Sequence, residues 1–442
     1  MREDWTECTL GEICEKTRKV KRKEMPLSKN IKYLDIGAID NVSNKIVSHK
    51  EYSWQDAPSR AQQIIKKGDV LFSTVRTYLK NIAIVKSEEY ENEICSSGFT
   101  VLRRRKSIIA SGYIFYFSLS TSFLNSLNKL QTGTSYPAVR AKDVFAQNIP
   151  LPPLPTQRAI VSKIESLFTL LDSSITDLKR AQAQLKIYRQ AVLKKAFEGE
   201  YNFFELKEIA HITGGVTKGR KLEGKETIEL PYLRVANVQD GYLDLSLVKM
   251  IEVLKTDLLK YKLEYEDVLF TEGGDRDKLG RGTVWKNEVK NCIHQNHIFR
   301  ARVNDKNELS PYYLTYFAQS PFGKGYFFKH GKHTTNLASI NKTILSSLPV
   351  PLPNIRIQLE IVKQIESRLS VCDKVEESIV ESLKKAQALR QSILKKAFEG
   401  KLLTEAEVAK CKAQSDYEPA SVLLERINAE KMNQISKIKK KV

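Results

Sequence analysis

The chain has 442 residues, of which 41% are hydrophobic and 28% are charged, a balance typical of a soluble globular protein with room for about three domains. Its net charge of +20 favours a polyanionic partner, nucleic acid before an acidic membrane surface, over a protein that is merely basic. No apolar run reaches the ~18–20 residues that span a bilayer. The N-terminal sequence has acidic residues and lacks the apolar core of a signal peptide, so we expect a cytoplasmic protein.

Residues 1–149 have the pattern of a mixed α/β domain. Short runs of β-branched and aromatic residues, among them Tyr33–Asn41 and Gly68–Arg76, are bounded by Gly, Asn and Asp. The basic run Lys16–Lys23 has the composition of a segment that contacts phosphates.

Residues 150–200 predict a long helix. The prolines of PLPPLP block a helix upstream, and Gly199 stands where a helix would end. Between them runs a heptad pattern typical of a coiled-coil seam, with apolar residues at Ile164, Leu171, Leu178, Leu185 and Val192. We expect a helix of about 40 residues, roughly 60 Å long. A helix packed on a globular core would show only about two turns of this pattern.

The same plan recurs at an offset of 201 positions. The segment RQAVLKKAFEGE at Arg189–Glu200 returns as RQSILKKAFEGK at Arg390–Lys401, and the register between them holds without insertion. Residues 201–350 therefore predict a second α/β domain, and residues 351–401 a second long helix that ends at Gly400. Since the second helix leads back towards the first domain, we expect an antiparallel pair with a pseudo-two-fold axis.

Residues 402–442 form a tail. Its segment EPASVLLERINAEK, Glu418–Lys431, predicts a helix with Pro419 just inside the start. We expect this helix to lie beside the first domain and close the chain on itself.

Motifs for catalysis and cofactors are missing from the sequence. It contains no phosphate loop, no strand-anchored G-x-G-x-x-G, no nucleophile elbow, and neither the target-base motif nor the glycine-rich turn of amino-methyltransferases. The six cysteines stand singly, which predicts reduced, packed thiols. The metal-like clusters are CIHQNH, with His294 and His297, and HGKH, with His330 and His333. Side chains alternate faces along a strand, so we expect polar positions there and no metal site.

Candidate binding residues lie on loops at matching places of the two predicted domains. Arg, Lys, Asn, Ser and Thr on short loops bond both phosphates and base edges. Each residue alone is about as compatible with a solvated surface group, but their matched positions in two copies favour a binding role. The candidates are Arg76, Lys80, Thr134, Ser135, Tyr136, Arg140, Lys218, Arg220, Arg276, Lys278, Arg281, Lys332, His333, Thr334 and Asn336.

The tandem PLPP..Q..I, the twice-used LKKAFEG and the closing EPASVLLERINAEK together resemble the specificity subunit of type I restriction–modification systems, over essentially the whole chain. The resemblance implies an α+β fold with two α/β target-recognition domains, separated by two long antiparallel coiled-coil helices in an internal pseudo-two-fold repeat. The implied segments are target-recognition domains 1–149 and 201–350, helical spacers 150–200 and 351–401, and the C-terminal helical tail 402–442.

The resemblance also implies a function without catalytic residues. Each target-recognition domain would read one half of a split sequence in double-stranded DNA, and the helices would dock two DNA-methyltransferase (modification) subunits. Two restriction–translocase subunits would complete the restriction form. S-adenosylmethionine would belong to the methyltransferase subunits and ATP with Mg²⁺ to the restriction subunits, so no cofactor is expected in this chain. The missing methyltransferase motifs argue against the variant in which recognition, methylation and cleavage share one chain.

Two alternatives stay open at this point. One is a coiled-coil scaffold whose domains bind proteins and whose positive charge is incidental, which a salt titration of DNA binding would reveal. The other is a cryptic nuclease, which a metal-supplemented plasmid assay would reveal. For the DNA-reading hypothesis, we expect major-groove readout by loops of both domains, at half-sites about one helical turn, roughly 34 Å, apart.

Overall fold

The computed structural model describes residues 2–274, 279–334, 338–426 and 428–429 of the chain. The chain divides into two compact units, Met1–Asp177 with Ser382–Val442 (unit 1) and Leu178–Glu381 (unit 2). Each unit therefore holds one α/β region together with a segment of each of two long helices. Within the described ranges, no helix is both long enough and apolar enough to cross a membrane.

The α/β region of unit 1 consists of short strands and short helices. Its strands are β1 (Thr6–Thr9), β2 (Cys14–Glu15), β3 (Asn30–Leu34), β4 (Ile39–Asp40), β5 (Lys45–Ile46), β6 (Lys50–Ser53), β7 (Ala61–Ile64), β8 (Val70–Ser73), β9 (Ile82–Ile84), β10 (Ile94–Ser96), β11 (Phe99–Arg104) and β12 (Asn148–Leu151). Its helices are α1 (Leu10–Ile13), α2 (Tyr113–Ser118), α3 (Thr121–Asn128) and α4 (Ala141–Phe145).

Two four-stranded sheets frame this region. The strand order of one is β2-β11-β8-β9, and that of the other is β6-β3-β10-β7, in which β3 and β10 run parallel. Strand β8 is buried along its whole length, and its Phe72 packs edge-on against Phe123 of α3 with ring centroids 5.5 Å apart. Helix α2 is also buried at every position, which explains why its sequence YIFYFS lacks a polar face.

The first long helix, α5 (Leu154–Ala196), has 43 residues and is about 65 Å long. Its first turn is fixed by the fully buried side chain of Gln157. The side-chain oxygen accepts a hydrogen bond from the backbone N–H of Ala110 at 2.9 Å, and the amide nitrogen donates to the carbonyls of Ile108 at 3.0 Å and Pro152 at 2.9 Å. The start of the helix is thereby tied to the α/β region by satisfied polar groups.

The α/β region of unit 2 has a similar composition of elements. Its strands are β13 (Phe203–Glu205), β14 (Ala210–Gly214), β15 (Thr227–Leu233), β16 (Lys249–Leu254), β17 (Val268–Thr271), β18 (Gly273–Gly274), β19 (Gly282–Val284), β20 (Ile293–His294), β21 (Ile298–Val303), β22 (Lys332–His333), β23 (Ala338–Ser339) and β24 (Pro349–Pro351). Its helices are α6 (Leu206–Ile209), α7 (Lys255–Tyr261), α8 (Pro311–Gln319), α9 (Pro321–His330) and α10 (Lys342–Ser346).

The sheets of unit 2 repeat those of unit 1. The order β14-β21-β17-β19 corresponds to β2-β11-β8-β9, and β16-β15-β20 corresponds to β6-β3-β10, again with a parallel central pair. The short pairs β1–β12 and β13–β24 also correspond, and both are antiparallel. One difference lies at the sheet edge, where unit 1 has strand β7 and unit 2 has helix α7 after β16. The two regions thus share a frame and differ in what surrounds it.

The second long helix, α11 (Ile355–Phe398), has 44 residues and begins in the same way as α5. Buried Gln358 accepts from the N–H of Ser310 at 2.9 Å and donates to the carbonyls of Glu308 at 2.7 Å and Pro353 at 2.8 Å. The helix ends before Gly400, whose φ of +77° is the left-handed conformation that favours glycine at a helix terminus.

The helix segments inside each unit pair antiparallel. In unit 1, Arg390 forms an ion pair with Asp172 and its guanidinium lies 4.7 Å from the ring centroid of Phe168, whereas Ala397 lies beside Thr156 near the start of α5. Residue numbers thus increase along α5 in the direction in which they decrease along α11, so the two segments run antiparallel.

The same ion pair occurs in unit 2, since Arg189 and Asp373 stand at the repeat-equivalent positions and are 2.7 Å apart. Arg189 also bonds Glu376 at 3.0 Å, and Ala196 lies beside Ile357 at the start of α11. The expected fold class, two α/β regions with two long antiparallel helices in an internal repeat, is confirmed.

The tail folds onto unit 1. Helix α12 (Glu405–Lys412) places Glu407 2.8 Å from Lys163 of α5, and this hydrogen bond lowers the pKa of Glu407 to about 2. Beyond α12, Asp416 pairs with Arg158 at 2.7 Å. The expected tail helix starts at Ala420, so that Pro419 stands immediately before it and not inside it.

The two units differ at the ends of their helix pairs. In unit 1, the furrow between Thr156 and Ala397 is filled by Leu403 and by Val408 of α12. In unit 2, the repeat-equivalent furrow between Ile357 and Ala196 is an open groove of about 530 Å³. The tail therefore fills the furrow of unit 1, whereas the described residues leave the equivalent groove of unit 2 open.

The buried amide at the start of α5 yields a stability prediction. Replacing Gln157→Leu leaves a buried N–H and two carbonyls without partners, so we expect unfolding free energy to fall by roughly 2–3 kcal/mol. Urea unfolding of the full chain, with hydrogen exchange to assign the loss to unit 1, measures this. The matched control is Gln364→Leu, an exposed glutamine of α11 bonded to a neighbouring Glu360 side chain, with an expected change below about 0.5 kcal/mol. Equal losses in the two variants would contradict the anchoring role.

Candidate nucleic-acid interface

Two of the predicted loops meet in unit 1. The segment after β8 forms a bridge between Val75 and Ala138, and Thr132 and Ala138 close the second loop by two mutual backbone bonds of 3.0 Å. Gly133 takes a φ of +96° inside that loop, a conformation that favours glycine. The structure therefore joins segments that lie about sixty positions apart in the sequence.

Arg76 occupies the junction of these loops. Its backbone N–H donates to the carbonyl of Pro137 at 2.8 Å, and its Nη2 donates to the carbonyl of Ser135 at 3.1 Å. The guanidinium carbon lies 4.6 Å from the ring centroid of Tyr136, which is 70% exposed. Three of the predicted residues thus form one contacting cluster at the surface, and exposed Thr134 belongs to the same loop.

A hairpin that the sequence analysis did not select contributes to the same surface. Strands β4 and β5 form this hairpin, and Asn44 at its turn donates from Nδ2 to the carbonyl of Lys80 at 2.8 Å. Lys80 itself is half-buried and ends the short helical turn Thr77–Leu79. The hairpin begins within the run Tyr33–Asn41, but that run by itself predicts only a strand of an α/β domain.

The corresponding loops also meet in unit 2. Gly273 of β18 pairs with Ser339 of β23, and Lys332 and His333 of β22 pair with the same strand. The ring of His333 lies 4.8 Å from that of Phe328, with its Nε2 2.7 Å from the Phe328 carbonyl oxygen. The arrangement matches the bridges of unit 1.

A turn closed by a bridge between Val238 and Leu243 is the hairpin of unit 2, and it has an equivalent contact with Arg281. Nη1 of Arg281 donates to the side-chain oxygen of Gln239 at 2.8 Å, and Gly241 donates its N–H to the carbonyl of Gly282 at 3.0 Å. Each unit therefore presents three adjoining loops, which we call the three-loop surface: residues 40–45, 73–81 and 131–140 in unit 1, and residues 238–243, 271–274 with 279–282, and 332–334 with 338–340 in unit 2. Exposed aromatic side chains on or beside these surfaces are Tyr78, Tyr136, Tyr242 and Phe328.

The remaining candidates are Arg140 and Thr334 at the ends of loops of the three-loop surface, Lys218 and Arg220 on another loop, and three residues that the structure does not describe. Arg140 caps α4 and hydrogen-bonds Asp143, which lowers the pKa of that carboxyl group. Lys218 is exposed on a separate loop, where Arg220 is engaged in an ion pair with Asp257 of α7. Thr334 is exposed next to β22. Arg276, Lys278 and Asn336 lie outside the described residues.

The basic run Lys16–Lys23 is partly structural. Arg22 donates to the carbonyl of Ala57 at 2.9 Å and lies 5.1 Å from the ring of Trp54, and Arg18 pairs with Glu24 at 2.8 Å. The exposed lysines of the run remain candidates for phosphate contacts.

His294 and the cysteines serve packing. His294 is fully buried, its Nδ1 lies 2.9 Å from the carbonyl oxygen of Ile298, and burial lowers its pKa to about 4. His297 instead pairs with Glu272. All six cysteines are free and buried, and burial raises the pKa of Cys292 to about 12. In the described ranges, no group of three or more His, Cys, Asp or Glu is placed to hold a metal ion.

Comparison with known proteins identifies the family. The sequence model of the type I restriction modification DNA specificity domain matches residues 2–181 and again residues 198–385. The chain therefore belongs to the family of type I restriction–modification specificity subunits and carries the specificity domain twice, as the repeated motifs predicted. It is a specificity subunit, as distinct from the modification and restriction subunits of such systems.

Individual relatives agree with this assignment. The chain is 28% identical over 352 residues to the specificity subunit of the type I restriction enzyme EcoKI of Escherichia coli (strain K12), covering 76% of this chain and 75% of that one. It is 29% identical over 356 residues to the StySPI specificity subunit of Salmonella potsdam, with coverage of 76% and 75%.

Solved structures also resemble the chain. A chain from a study of assembly and conformational transition in a type I restriction–modification system superposes with a TM-score of 0.77 at 29% identity, over 91% of this chain and 99% of that one. The crystal structure of the HsdS subunit from Thermoanaerobacter tengcongensis gives 0.62 at 28% identity, over 91% and 98%.

The buried histidine predicts a pH dependence of stability. The folded-state pKa of His294, about 4, lies below its ordinary value of 6.5. The unfolded chain therefore binds a proton first as pH falls, and stability that is fully present above pH 6.5 is lost progressively down to pH 4, by up to about 3 kcal/mol. The His294→Asn variant keeps a donor for the Ile298 carbonyl, and we expect it to lose this part of the pH slope.

Urea unfolding of the wild type, His294→Asn and His330→Gln at pH 7, 5.5 and 4.5 measures how the unfolding free energy depends on pH. His330→Gln, an exposed histidine beside Tyr326, is the control and should keep the wild-type slope. An unchanged slope in His294→Asn would show that other groups cause the acid sensitivity.

Proposed function

We propose that this chain reads a bipartite double-stranded DNA target, with residues 1–149 as one target-recognition domain and residues 201–350 as the other. The helical segments 150–200 and 351–401 act as spacers, and the tail 402–442 packs on unit 1. The observation that carries this proposal is the three-loop surface, which both units build from corresponding elements. A duplicated surface suits a target with two parts, each read by one copy.

The chemistry of the three-loop surface suits duplex DNA. Arginine and lysine side chains contact phosphates and give the salt-dependent part of the affinity, to which the net charge of +20 contributes. Loop Arg, Asn, Ser and Thr side chains reach base edges in the major groove, with about 1–3 kcal/mol of discrimination for each good bidentate contact. The side chains that we assign to DNA contact on these surfaces are Arg76, Lys80, Thr134, Ser135, Tyr136, Arg140, Arg281, Lys332, His333 and Thr334. Arg276, Lys278 and Asn336, which lie outside the described residues, are proposed as DNA contacts from the sequence alone.

Two further candidates are assigned less central roles. Lys218 is exposed on its own loop and contacts phosphate in the proposal. Arg220 holds that loop to α7 through its ion pair with Asp257, so its contribution to DNA binding is indirect.

We further propose that the two long helices dock two DNA-methyltransferase subunits, with two restriction–translocase subunits in the restriction form. In support, both helices expose large apolar side chains, which are unfavourable in water unless a partner covers them. They are Leu170, Ile187, Tyr188, Ile357, Leu359, Val371, Val375, Val380 and Leu389. In this assembly, S-adenosylmethionine is bound by the methyltransferase subunits, and ATP with Mg²⁺ by the restriction subunits.

A domain exchange tests the bipartite reading. Replacing residues 1–149 by the corresponding domain of another specificity subunit, while keeping Arg2 and Trp5 for their contacts with the tail, should change one half of the methylated motif only, because the second domain is untouched. Single-molecule methylome sequencing of cells carrying the chain and its methyltransferase measures the motif. The reciprocal exchange of residues 201–350 is the matched control and should change the other half. Change in both halves after a single exchange would contradict one domain per half-site.

A helix-surface variant tests the docking proposal. Leu359 is 55% exposed on α11, and Leu359→Asp places a charge where an apolar contact is proposed, so we expect affinity for the methyltransferase subunit to fall at least about 10-fold. Co-purification and titration calorimetry measure this. The control Leu259→Asp lies on α7, is 89% exposed, and should leave docking unchanged. Equal behaviour of the two variants would move the docking surface elsewhere.

A further inference from the structure

Arg76 has a backbone conformation that is unusual for its residue type. Its φ of +48° and ψ of 56° lie in the left-handed region, where a side chain clashes with its own backbone. Such residues persist when their surroundings fix them, and they cluster at functional sites. The residue therefore stands in a place where the local backbone favours glycine.

Unit 2 has glycine at the equivalent position. Val75 pairs with Ala138 in unit 1 as Gly273 pairs with Ser339 in unit 2, so that Arg76 corresponds to Gly274. Gly274 itself lies in strand β18 and does not have a positive φ, so unit 2 passes this point in an extended conformation and without a side chain. Unit 1 retains an arginine in spite of its conformational cost, which indicates a role for the side chain itself.

The guanidinium of Arg76 is held rigidly by the second loop. It lies against the Tyr136 ring, 4.6 Å from the centroid, and Nη2 donates to the carbonyl of Ser135. Its Nε is buried and has no hydrogen-bond partner among the described residues. Nη1 likewise makes no hydrogen bond within the described ranges, and Nη2 keeps a second hydrogen. The edge formed by Nη1 and Nη2 is therefore the part of the fork that can meet a ligand.

We propose that Arg76 determines the base preference of unit 1 by donating two hydrogen bonds from this edge to O6 and N7 of a guanine in the major groove, with Tyr136 as the residue that positions it. The proposal rests on the DNA-reading function proposed above. Arginine suits this task because its planar fork matches the two acceptors of guanine. Unit 2 has no counterpart at Gly274, so its half-site is read by other side chains.

A guanine edge explains the geometry better than a phosphate. A phosphate contact needs charge within reach, which a mobile lysine supplies equally well. Stacking on an aromatic ring and a carbonyl bond at Ser135 instead fix the plane of the guanidinium, and plane matters for a bidentate contact with a base.

Selection from a random duplex DNA library tests the proposal with the full chain at one fixed salt concentration. We expect the wild type to enrich a two-part motif with a guanine in one half, preferred roughly 5- to 150-fold over other bases. Arg76→Lys and Arg76→Gly should lose this preference at that single position and keep the rest of the motif. Tyr136→Phe, which keeps the ring, should retain the preference, and Tyr136→Ala should weaken it.

Arg158→Lys is the matched control, because it makes the same substitution on α5 in an exposed ion pair with Asp416, and its motif should equal that of the wild type. A uniform loss of affinity in Arg76→Lys with an unchanged motif, and a salt dependence reduced by about one ion, would assign Arg76 to a phosphate and overturn the proposal. Loss of preference in both halves would assign it to folding and overturn it as well. If the wild type enriches no motif, the proposed function itself fails.

Discussion

A buried amide has few acceptable arrangements, because each donor and acceptor that is left without a partner costs free energy that water can no longer recover. Gln157 and Gln358 meet this constraint in the same way, each with one backbone N–H and two carbonyls as partners. These bonds fix how a long helix leaves its α/β region. The pairing of the helix segments depends on that starting direction, so a substitution at either glutamine acts on more than its own contacts.

The repeated RQ-x-x-LKKAFEG segment has its role in pairing helices. Its arginine, Arg189 in one copy and Arg390 in the other, meets the aspartate at the equivalent place of the opposite helix segment, Asp373 or Asp172. These ion pairs are partly exposed, so each contributes modest stability and favours the register in which its partners meet. An insertion in either helix would separate the partners. Ion pairing thus gives a physical reason why the two copies keep the same phase.

Local patterns predicted most of the frame, because heptads, prolines and terminal glycines act within a few residues. They predicted both long helices, the second α/β region and the packed thiols of residues such as Cys292. Contacts between residues far apart in the sequence could not be predicted from such local patterns. Asp257, which engages Arg220, lies 37 positions away and belongs to a helix that replaces a strand of unit 1. The hairpin at Asn44 joins the three-loop surface only because the fold brings Lys80 to it.

Because of the tail, the repeat-equivalent grooves of unit 1 and unit 2 differ in the free energy with which a partner could bind to them. A partner segment that enters the groove of unit 2, beside Ile357, finds it vacant in the described part of the chain. The same segment at unit 1 would have to compete with α12 and break the Lys163–Glu407 pair. If two identical partners used these grooves, they would therefore bind with different affinities, and unit 2 would fill first. Duplication of a gene segment supplies two sites, and a short appended helix is enough to give them an order.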